Sequence, residues 1–444
     1  MPLERPDRRW GRRRIIVVAA AALAVVALAL GLVRLLGHGA PPPGGAVPSA
    51  AAPDQQSAPD QQAAPSQQSA PDQQSAPSQQ SVPSHEAVPG QPAAPPAPAN
   101  PPAGAPGAPA RLASSCTAMA AGLPLRAQLA QRLMVGIDAA RPSVARKVVT
   151  TYDVGGLFIS GKPTALLRSG AIASIKAASS IPLAVAVDEE GGRVQRINQI
   201  DGSMPSARAM AASMTPAQVR AQAARRGRDL RALGITVDLA PVADVSDEPN
   251  NGVIGDRSFS NDPKKVVSYA GAFAAGLRDA GVLPVFKHFP GHGHGSGDSH
   301  AGTVTTPPLA TMRADDLQPY RKLLGTGPEA VMIGHLVVPG LTGGQPASLS
   351  PAAYQLLRTQ YGFTGVTITD DLGAMKAITN TYDLPHAVLK AFTAGADIAL
   401  WTSTAEVGAV LSTLQSAVRS GQLPESTVTA SVSRILAAKG ACQP

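Results

Sequence analysis

Short apolar runs alternate with segments of helical periodicity over most of the chain, from residue 112 onward. The apolar runs are predicted to be strands and lie at residues 156–159, 181–187, 235–245, 282–286, 330–333, 366–368 and 397–401. Near-continuous apolar strands are buried on both faces, which is typical of a parallel sheet. Roughly eight strand–helix units in about 330 residues predict an α/β fold, a single (β/α)8 barrel of the TIM type. A Rossmann sheet is less favoured, because no Gly-x-Gly-x-x-Gly turn follows the first strand.

Helices are predicted between these strands from periodicity and from capping residues. Residues 165–178 show helical periodicity. Thr215 precedes Pro216 and stands three residues before Gln218, which is the pattern of a capping box with proline in the first helical position. Asp262 and Pro263 are predicted to begin another helix, which continues to about residue 280.

The N-terminal segment, residues 1–36, combines arginines with an unbroken apolar run at residues 15–33. A helix of that length nearly crosses the hydrocarbon core of a bilayer, and the arginines would keep the N-terminus inside. We expect a transmembrane anchor or a cleaved signal peptide, and Arg34 at the end of a long run favours the anchor. In either case the remaining chain is expected outside the cell membrane, anchored to it or secreted.

Residues 37–111 are predicted to be a disordered linker. Half of the 42 prolines lie within the first 110 residues, and a hexapeptide, Ala-Pro-Asp-Gln-Gln-Ser, recurs from Ala52. Such a sequence has too few apolar residues to bury a core and therefore cannot offset the entropy of ordering. It is either a tether that lets the domain act at a distance from the membrane or a neutral spacer. The globular domain is predicted to span residues 112–444.

Composition and charge narrow the function classes. The chain has two cysteines and 3% aromatic residues, which excludes a disulfide scaffold and leaves little aromatic surface for stacking bases. Residues 111–444 carry 31 Lys and Arg residues and 24 Asp and Glu residues, a net charge of +7. This charge suits an anionic polymer of the cell envelope as well as an ordinary soluble domain, and we expect no nucleic-acid partner. Cys116 and Cys442 bracket the domain, so a disulfide between its ends is predicted, with two buried thiols as the alternative.

Polar clusters stand directly after four of the predicted strands. They are the run from Asp188 to Arg193, the pair Lys287 and His288, then His335, and finally the pair Asp370 and Asp371. The C-terminal ends of barrel strands converge on one mouth, so these residues are expected to meet in one pocket. An aspartate there can act as a nucleophile toward a sugar C1 atom. The alternative for Asp370 and Asp371 is a helix N-cap pair.

The segment from Lys287 to His300 is rich in glycine and is predicted to be a loop. Asp298 and His300 stand near its end, and an aspartate beside a histidine fixes the tautomer and raises the basicity of the ring. Such a dyad can donate a proton and later accept one. Two alternatives remain, a purely structural loop and a metal site built from the four histidines of the segment, His288, His292, His294 and His300.

Five motifs together resemble glycoside hydrolase family 3, in its single-domain β-N-acetylglucosaminidase branch, the NagZ-like enzymes. They are Val187-Asp-Glu-Glu-Gly-Gly-Arg-Val-Gln-Arg196, Gly255-Asp-Arg-Ser-Phe259, Lys287-His-Phe-Pro-Gly-His-Gly293, Gly297-Asp-Ser-His300 and Thr369-Asp-Asp-Leu372. The resemblance covers most of residues 112–444 and none of residues 1–110. Two positions depart from the usual pattern: Glu189 stands where relatives often have Gln or His, and His294 has no assignable role.

The resemblance implies a retaining exo-β-N-acetylglucosaminidase that acts on peptidoglycan fragments or other GlcNAc-terminated glycans. It implies that Asp370 is the nucleophile, that His300 is the acid/base and that Asp298 is its partner. The residues that it implies for holding the sugar are Asp188, Arg196, Arg257, Lys287 and His288. No metal and no cofactor are expected, and the protein is expected to be a monomer. Two other functions stay open, a phosphorylase that uses the same residues and an inactive, anchored wall-binding module.

Overall fold

The computed structural model describes residues 108–442, with side chains from Ser114 onward. The predicted anchor or signal segment, residues 1–36, and the predicted linker as far as residue 107 lie outside the described residues. The first helix begins at Ala108, slightly before the predicted domain boundary at residue 112. None of the helices within residues 108–442 is both long enough and apolar enough to span a bilayer.

Eight parallel strands close into a barrel, which confirms the predicted fold. The barrel strands are β1 (Leu133–Ile137), β2 (Gly156–Ile159), β3 (Ala184–Val187), β4 (Val237–Asp238), β5 (Leu283–Phe289), β7 (Ala330–Ile333), β9 (Val366–Asp371) and β10 (Ile398–Trp401). Their order around the barrel is β1-β10-β9-β7-β5-β4-β3-β2, and β1 pairs with β2 to close it. Two short strands outside the barrel, β6 (Val304–Thr305) and β8 (Leu336–Val337), pair with each other.

Helices surround the barrel and connect its strands. In chain order they are α1 (Ala108–Gly122), α2 (Leu125–Gln131), α3 (Pro142–Tyr152), α4 (Thr164–Arg168), α5 (Ala171–Lys176), α6 (Asn198–Asp201), α7 (Ala207–Ser213), α8 (Pro216–Ala232), α9 (Pro263–Asp279), α10 (Leu309–Ala314), α11 (Gln318–Leu323), α12 (Pro351–Gln355), α13 (Lys376–Thr379), α14 (Leu384–Ala394), α15 (Val407–Arg419) and α16 (Glu425–Ala438). The predicted capping box is present at the start of α8, and Asp262 caps α9 as predicted.

Three elements differ from the sequence-based expectation. The predicted helix 165–178 is two helices, because Gly170 between them adopts a φ of 71°. The predicted strand 235–245 forms a regular strand only at Val237–Asp238, and beyond Pro241, which has no amide hydrogen to donate, pairing resumes as an isolated bridge from Val242 to Lys287. Strand β1 was not among the predicted strands; its five residues are all buried between helices and neighbouring strands.

The apolar side chains form two layers. One fills the barrel interior and includes Met134, Val285 and Met332, while a larger layer lies between the strands and the helices. Strands that contribute to both layers are buried on both faces, as their sequences predicted. This packing makes a rigid base for side chains at the strand ends.

A disulfide joins Cys116 in α1 to Cys442 after α16, with a Cα–Cα distance of 5.2 Å. The prediction of a bond between the two ends of the domain is therefore confirmed. Helices α1 and α16 also pack against each other through the hydrogen bond between the Thr117 and Ser433 hydroxyls, 3.0 Å apart. The beginning and the end of the barrel are thus tied together.

Candidate active site

A cavity of about 300 Å³ opens at the C-terminal ends of the barrel strands. All eight of the residues predicted from sequence to form the site line it: Asp188, Arg196, Arg257, Lys287, His288, Asp298, His300 and Asp370. They come together because each follows or ends a strand, or stands on a loop above a strand end, as barrel topology requires. The chain therefore brings residues separated by up to 182 positions, Asp188 and Asp370, into one pocket.

Lys287 lies at the centre of a buried charge network on one wall of the cavity. Its Nζ is 2.7 Å from Oδ1 of Asp188 and 2.6 Å from Oε1 of Glu190. Arg257 donates two hydrogen bonds of 2.8 Å to the two oxygens of Glu190, and Arg196 lies 3.5 Å from Asp188. Cations and carboxylates of this kind, fixed by one another, present a rigid set of donors and acceptors to sugar hydroxyls.

Glu190 is a residue of the cavity wall that the sequence analysis did not single out. Burial raises the pKa of its carboxyl group, but Arg257 and Lys287 outweigh burial and hold that pKa well below its ordinary value. The side chain is therefore ionised and orients both cations. Its position in the polar run after β3 was the available clue, since two of the three carboxylates of this run, Asp188 and Glu190, line the cavity.

Asp244 is a second residue that the sequence analysis missed. It is fully buried, and its Oδ2 lies 2.7 Å from Nδ1 of His288. Its Oδ1 accepts hydrogen bonds from the backbone amides of His288 and His292. Burial raises the pKa of Asp244, but His288 outweighs burial and lowers it, so the carboxylate is ionised. Asp244 thereby fixes the His288 ring, whose Nε2 lies 3.4 Å from Arg257.

Asp370 stands at the end of β9 with 9% of its surface exposed. Its Oδ1 accepts a hydrogen bond of 2.9 Å from the amide of Asp371. Burial raises the pKa of Asp370, but the imidazoles of His335 and His288, that amide and Lys287 outweigh burial, so the pKa lies below its ordinary value. An ionised, poorly hydrated carboxylate at a barrel mouth has the properties of a nucleophile.

Both carboxylate oxygens of Asp371, the second aspartate of the pair, accept hydrogen bonds from the protein. Its Oδ1 accepts a hydrogen bond from the amide of Gly373, and its Oδ2 accepts one of 2.7 Å from the Thr402 hydroxyl. His335 lies below, with Nε2 3.0 Å from the Asp371 carbonyl oxygen and Nδ1 2.7 Å from the Ser348 hydroxyl. Both aspartates belong to a strand, so the alternative of a helix N-cap pair is wrong.

Asp298 and His300 form the predicted dyad. Nδ1 of His300 lies 2.8 Å from Oδ1 of Asp298, and the same oxygen accepts a hydrogen bond from the His300 backbone amide. The side chains are 41% and 67% exposed, so the dyad stands at the open mouth of the cavity while Asp370 lies at its floor. Burial raises the pKa of Asp298, and the hydrogen bonds from His300 outweigh it and lower that pKa. The carboxylate holds Nδ1, which leaves Nε2 available for proton transfer.

A glycine near the start of the loop is required by a close contact. At Gly293, a Cβ atom would stand 1.8 Å from the carbonyl oxygen of Val245, so no larger residue fits there. Further along, the loop is held by a hydrogen bond of 3.1 Å from the Ala377 amide to the Ser299 carbonyl. The loop therefore lies in close contact with the neighbouring strand ends.

The four histidines of the loop do not gather around a common point. His288 is held by Asp244, His294 by Asp316 and His300 by Asp298, each through Nδ1 at 2.7–2.9 Å. Within residues 108–442, the group whose geometry could hold a metal ion is a different one, His294 with Asp315 and Asp316. The metal alternative of the sequence analysis therefore lacks the geometry that it needs.

A larger cavity, of about 520 Å³, opens at the opposite end of the barrel. Among the described residues that line it are Lys176, Arg231 and Arg278, over an apolar floor that includes Val237 and Ile398. Neither a carboxylate nor an imidazole is among those lining residues, but Lys439 also lines the cavity, and burial lowers the pKa of its ammonium group to about 7.

Comparison with known proteins shows which family and which relatives the chain resembles. Residues 124–438 match the model of the family described as glycosyl hydrolase family 3 N terminal domain. The chain is 55% identical over 332 residues to the beta-hexosaminidase LpqI of Mycobacterium tuberculosis. The aligned region covers 72% of this chain and 85% of that protein.

Solved structures show the same likeness. A glycosyl hydrolase family 3 member from Mycobacterium smegmatis superposes with a TM-score of 0.71 at 55% identity, covering 73% of this chain and 99% of that one. A family 3 β-N-acetylglucosaminidase from Paenibacillus superposes with a TM-score of 0.68 at 32% identity, covering 72% of this chain and 62% of that one.

Proposed function

Because this chain belongs to glycosyl hydrolase family 3 and has β-N-acetylhexosaminidase activity, we propose that it is a retaining exo-β-N-acetylglucosaminidase. In this proposal Asp370 is the nucleophile, and His300, oriented by Asp298, is the acid/base. The observation that carries the proposal is the arrangement of one cavity, with an ionised Asp370 on its floor and an exposed His300–Asp298 dyad at its mouth.

The first chemical step forms a covalent intermediate. A carboxylate oxygen of Asp370 attacks C1 of the terminal sugar, and the bond from C1 to the leaving oxygen breaks. The proton on Nε2 of His300 passes to that oxygen, so the aglycone leaves as a neutral alcohol. The neighbouring Asp298, 2.8 Å from Nδ1, holds the ring in place.

The second step releases the sugar. Nε2 of His300 removes a proton from a water molecule, whose oxygen attacks C1 as the bond to Asp370 breaks. Asp370 returns to its ionised form, and His300 is again protonated. Two inversions at C1 give net retention of the β configuration. Asp188, Arg196, Arg257, Lys287 and His288 hold the sugar hydroxyls through both steps, since their polar atoms line the same cavity.

The size of the cavity supports action on a terminal sugar. A volume of about 300 Å³ is at the small end of ligand sites and suits one sugar ring rather than a chain of rings. We propose that the aglycone is the N-acetylmuramic acid of peptidoglycan fragments. The net positive charge of residues 111–444 supports this choice, since muramic acid is anionic. The anchor or signal peptide predicted for residues 1–36 also supports it, since peptidoglycan lies outside the membrane.

A product assay tests the proposal. GlcNAc-anhydroMurNAc, GlcNAc-MurNAc and chitobiose are each incubated with the enzyme, with and without inorganic phosphate. Release of β-GlcNAc before mutarotation, faster from the muramic acid disaccharides than from chitobiose, is expected. Initial release of the α anomer would contradict retention, and preference for chitobiose would contradict the peptidoglycan assignment alone.

A phosphorylase is the second candidate. One observation favours it: the proton donor is an imidazole at the mouth of a cavity lined by Arg196, Arg257 and Lys287, where a phosphate meets cations. A histidine also repels an incoming phosphate less than a carboxylate does. The same assay separates the two, because GlcNAc-1-phosphate appears with phosphate only if phosphate replaces water in the second step.

A further inference from the structure

His294, which the proposed mechanism does not use, lies in the catalytic loop and makes an ion pair outside the cavity. Its Nδ1 is 2.9 Å from Oδ1 of Asp316, which belongs to the connection between α10 and α11. The Asp316 side chain is only 2% exposed, whereas that of His294 is 25% exposed. A buried carboxylate on one segment therefore holds an imidazole on another, six residues before His300.

We propose that the His294–Asp316 ion pair is a latch that positions the catalytic loop, so that His300 reaches the leaving oxygen of the substrate. The inference rests on the proposed acid/base role of His300. His294 itself does not touch the substrate and is a positioning residue.

The dyad depends on the loop that carries it, and Ser299 between its two members is buried. The side chains of Asp298 and His300 are largely exposed, so their place is set by the loop that carries them. Between His294 and His300 the loop contains Gly295 and Gly297, which give the backbone wide conformational freedom. Mispositioning by about 1 Å can cost on the order of 100-fold in rate, so a loop of this kind gains from a fixed point close to the dyad.

The other described contacts of the loop are of a different kind. Ser296 exchanges hydrogen bonds with Thr305, and the Ser299 carbonyl oxygen accepts a hydrogen bond from the Ala377 amide. All of these hydrogen bonds join neutral groups. Before His294, the amide of His292 is held by the Asp244 carboxylate. The His294–Asp316 pair is an ion pair between side chains that lies between these two regions. It joins the part of the loop fixed to the barrel with the part that carries the dyad.

The surroundings keep the pair charged near neutral pH. The hydrogen bond to Asp316 raises the pKa of His294 to about 9, with further help from Asp315 and Asp247. Burial raises the pKa of Asp316, and Asp244 and Asp315 add to this while His294 opposes it. Tyr320, fully buried nearby, stays neutral because burial raises its pKa well above the ordinary value. The acidic groups facing His294 thus favour its protonated form.

The sign of the pH dependence follows from the raised pKa. Protonated His294 stabilises the folded loop fully below the unfolded pKa of about 6.5, and this contribution is lost as pH rises through about 9. The melting temperature of the wild-type protein should therefore exceed that of His294→Gln by about 2–4 °C at pH 6. The difference should disappear by pH 10, because Gln does not titrate.

The test compares two substrates in His294→Gln, Asp316→Asn and His300→Ala. Chitobiose needs a proton on its leaving oxygen, whereas 2,4-dinitrophenyl β-GlcNAc needs none, and kcat/KM for both reports the first chemical step. We expect kcat/KM for chitobiose to fall about 10- to 100-fold in the two latch variants and further in His300→Ala. For the dinitrophenyl substrate, kcat/KM should stay within about 3-fold of wild type.

Two controls complete the design. His386→Ala removes a surface histidine that is paired with Asp383 at 2.7 Å, and both side chains are more than 60% exposed. This variant should leave kcat/KM unchanged for both substrates. The exchange of His294→Asp together with Asp316→His restores an ion pair and should recover part of the chitobiose activity.

The outcomes distinguish a failure of the proposed acid/base role of His300 from a failure of the latch. If His300→Ala affects both substrates equally, the proposed acid/base role fails. If His300→Ala discriminates between them and His294→Gln does not, the acid/base role stands and the latch is overturned. If Asp316→Asn misfolds and loses activity on both substrates, His294→Gln still decides, because the His294 side chain is partly exposed, and its melting temperature checks folding.

Discussion

Nζ of Lys287 lies 2.6 Å from Oε1 of Glu190, and both side chains are only 3% exposed. Lys287 also reaches Asp188, and Glu190 also holds Arg257, so this pair connects all the charged residues of one cavity wall. Charges withdrawn from water to this degree are stable only as a set, because removing one leaves its partner uncompensated. This wall of the cavity therefore depends on a glutamate that orients two cations.

Replacing Glu190 by Gln should misalign this wall. The change removes the negative charge between Arg257 and Lys287, so KM for a GlcNAc substrate should rise and kcat/KM should fall by about 10-fold or more. Steady-state kinetics measures both. The matched control is Glu329→Gln, which removes a buried carboxylate 3.3 Å from Arg278, away from the cavity. That variant should lose stability and keep its kcat/KM, and equal kinetic losses in both variants would contradict the assignment.

Replacing Asp298 by Asn should impair proton transfer while leaving sugar binding intact. The neutral amide no longer fixes the tautomer and orientation of the His300 ring as the carboxylate does. We expect kcat for chitobiose to fall by about 100-fold, with KM little changed. Sodium azide, which attacks the glycosyl-enzyme without base assistance, should restore turnover of an aryl substrate and give a β-azide product. An unaltered kcat for chitobiose would exclude Asp298 from the dyad.

The Cys116–Cys442 disulfide should stabilise the domain without affecting catalysis. It closes a loop of 326 residues, and removal of a native disulfide typically costs about 2–5 kcal/mol. The double variant Cys116→Ser and Cys442→Ser should therefore melt at a lower temperature at unchanged kcat/KM. Dithiothreitol should lower the melting temperature of the wild type and leave the variant unchanged. Insensitivity of the wild type to reductant would show that the bond does not contribute.

Asp397 should make the stability of the barrel depend on acid pH. Burial raises its pKa, but Arg434 and Arg358, each 2.7 Å away, outweigh burial and lower it. A lowered pKa means that the stabilisation is present above the unfolded value of about 4 and is lost as pH falls through the folded value. Asp397→Asn should therefore destabilise the protein strongly at pH 7, and the deficit should shrink in acid. Asp279→Asn, which removes the partner of Arg220 in an exposed pair, should cost little at either pH.

The sequence predicted those features that depend on local patterns. Lys287 and Asp370 could be placed in one pocket because each was predicted to follow a strand, and each lies near the end of one, where parallel strands meet at one mouth of a barrel. The bond between Cys116 and Cys442 followed from barrel closure. The family resemblance added roles that topology alone does not assign, such as that of Arg257.

Features that depend on contacts between distant segments were missed. Asp244 binds the ring of His288, which lies 44 positions further along the chain, and the sequence around Asp244 does not indicate that contact. Glu190 was recognised as part of a polar run, but its bonds to Arg257 become visible only in the folded chain. His294 had no role by sequence because its partner, Asp316, comes from a separate connection between helices.

The central claim is that Asp370 forms a glycosyl-enzyme intermediate, and trapping that intermediate tests it most directly. A 5-fluoro-β-N-acetylglucosaminyl fluoride slows both steps, while its good leaving group lets the first step outrun the second. Mass spectrometry of the intact protein followed by peptide mapping should find one sugar per chain, attached to Asp370 and absent in Asp370→Asn. A label on another residue, or no label from an enzyme that hydrolyses N-acetylglucosaminides, would contradict the account.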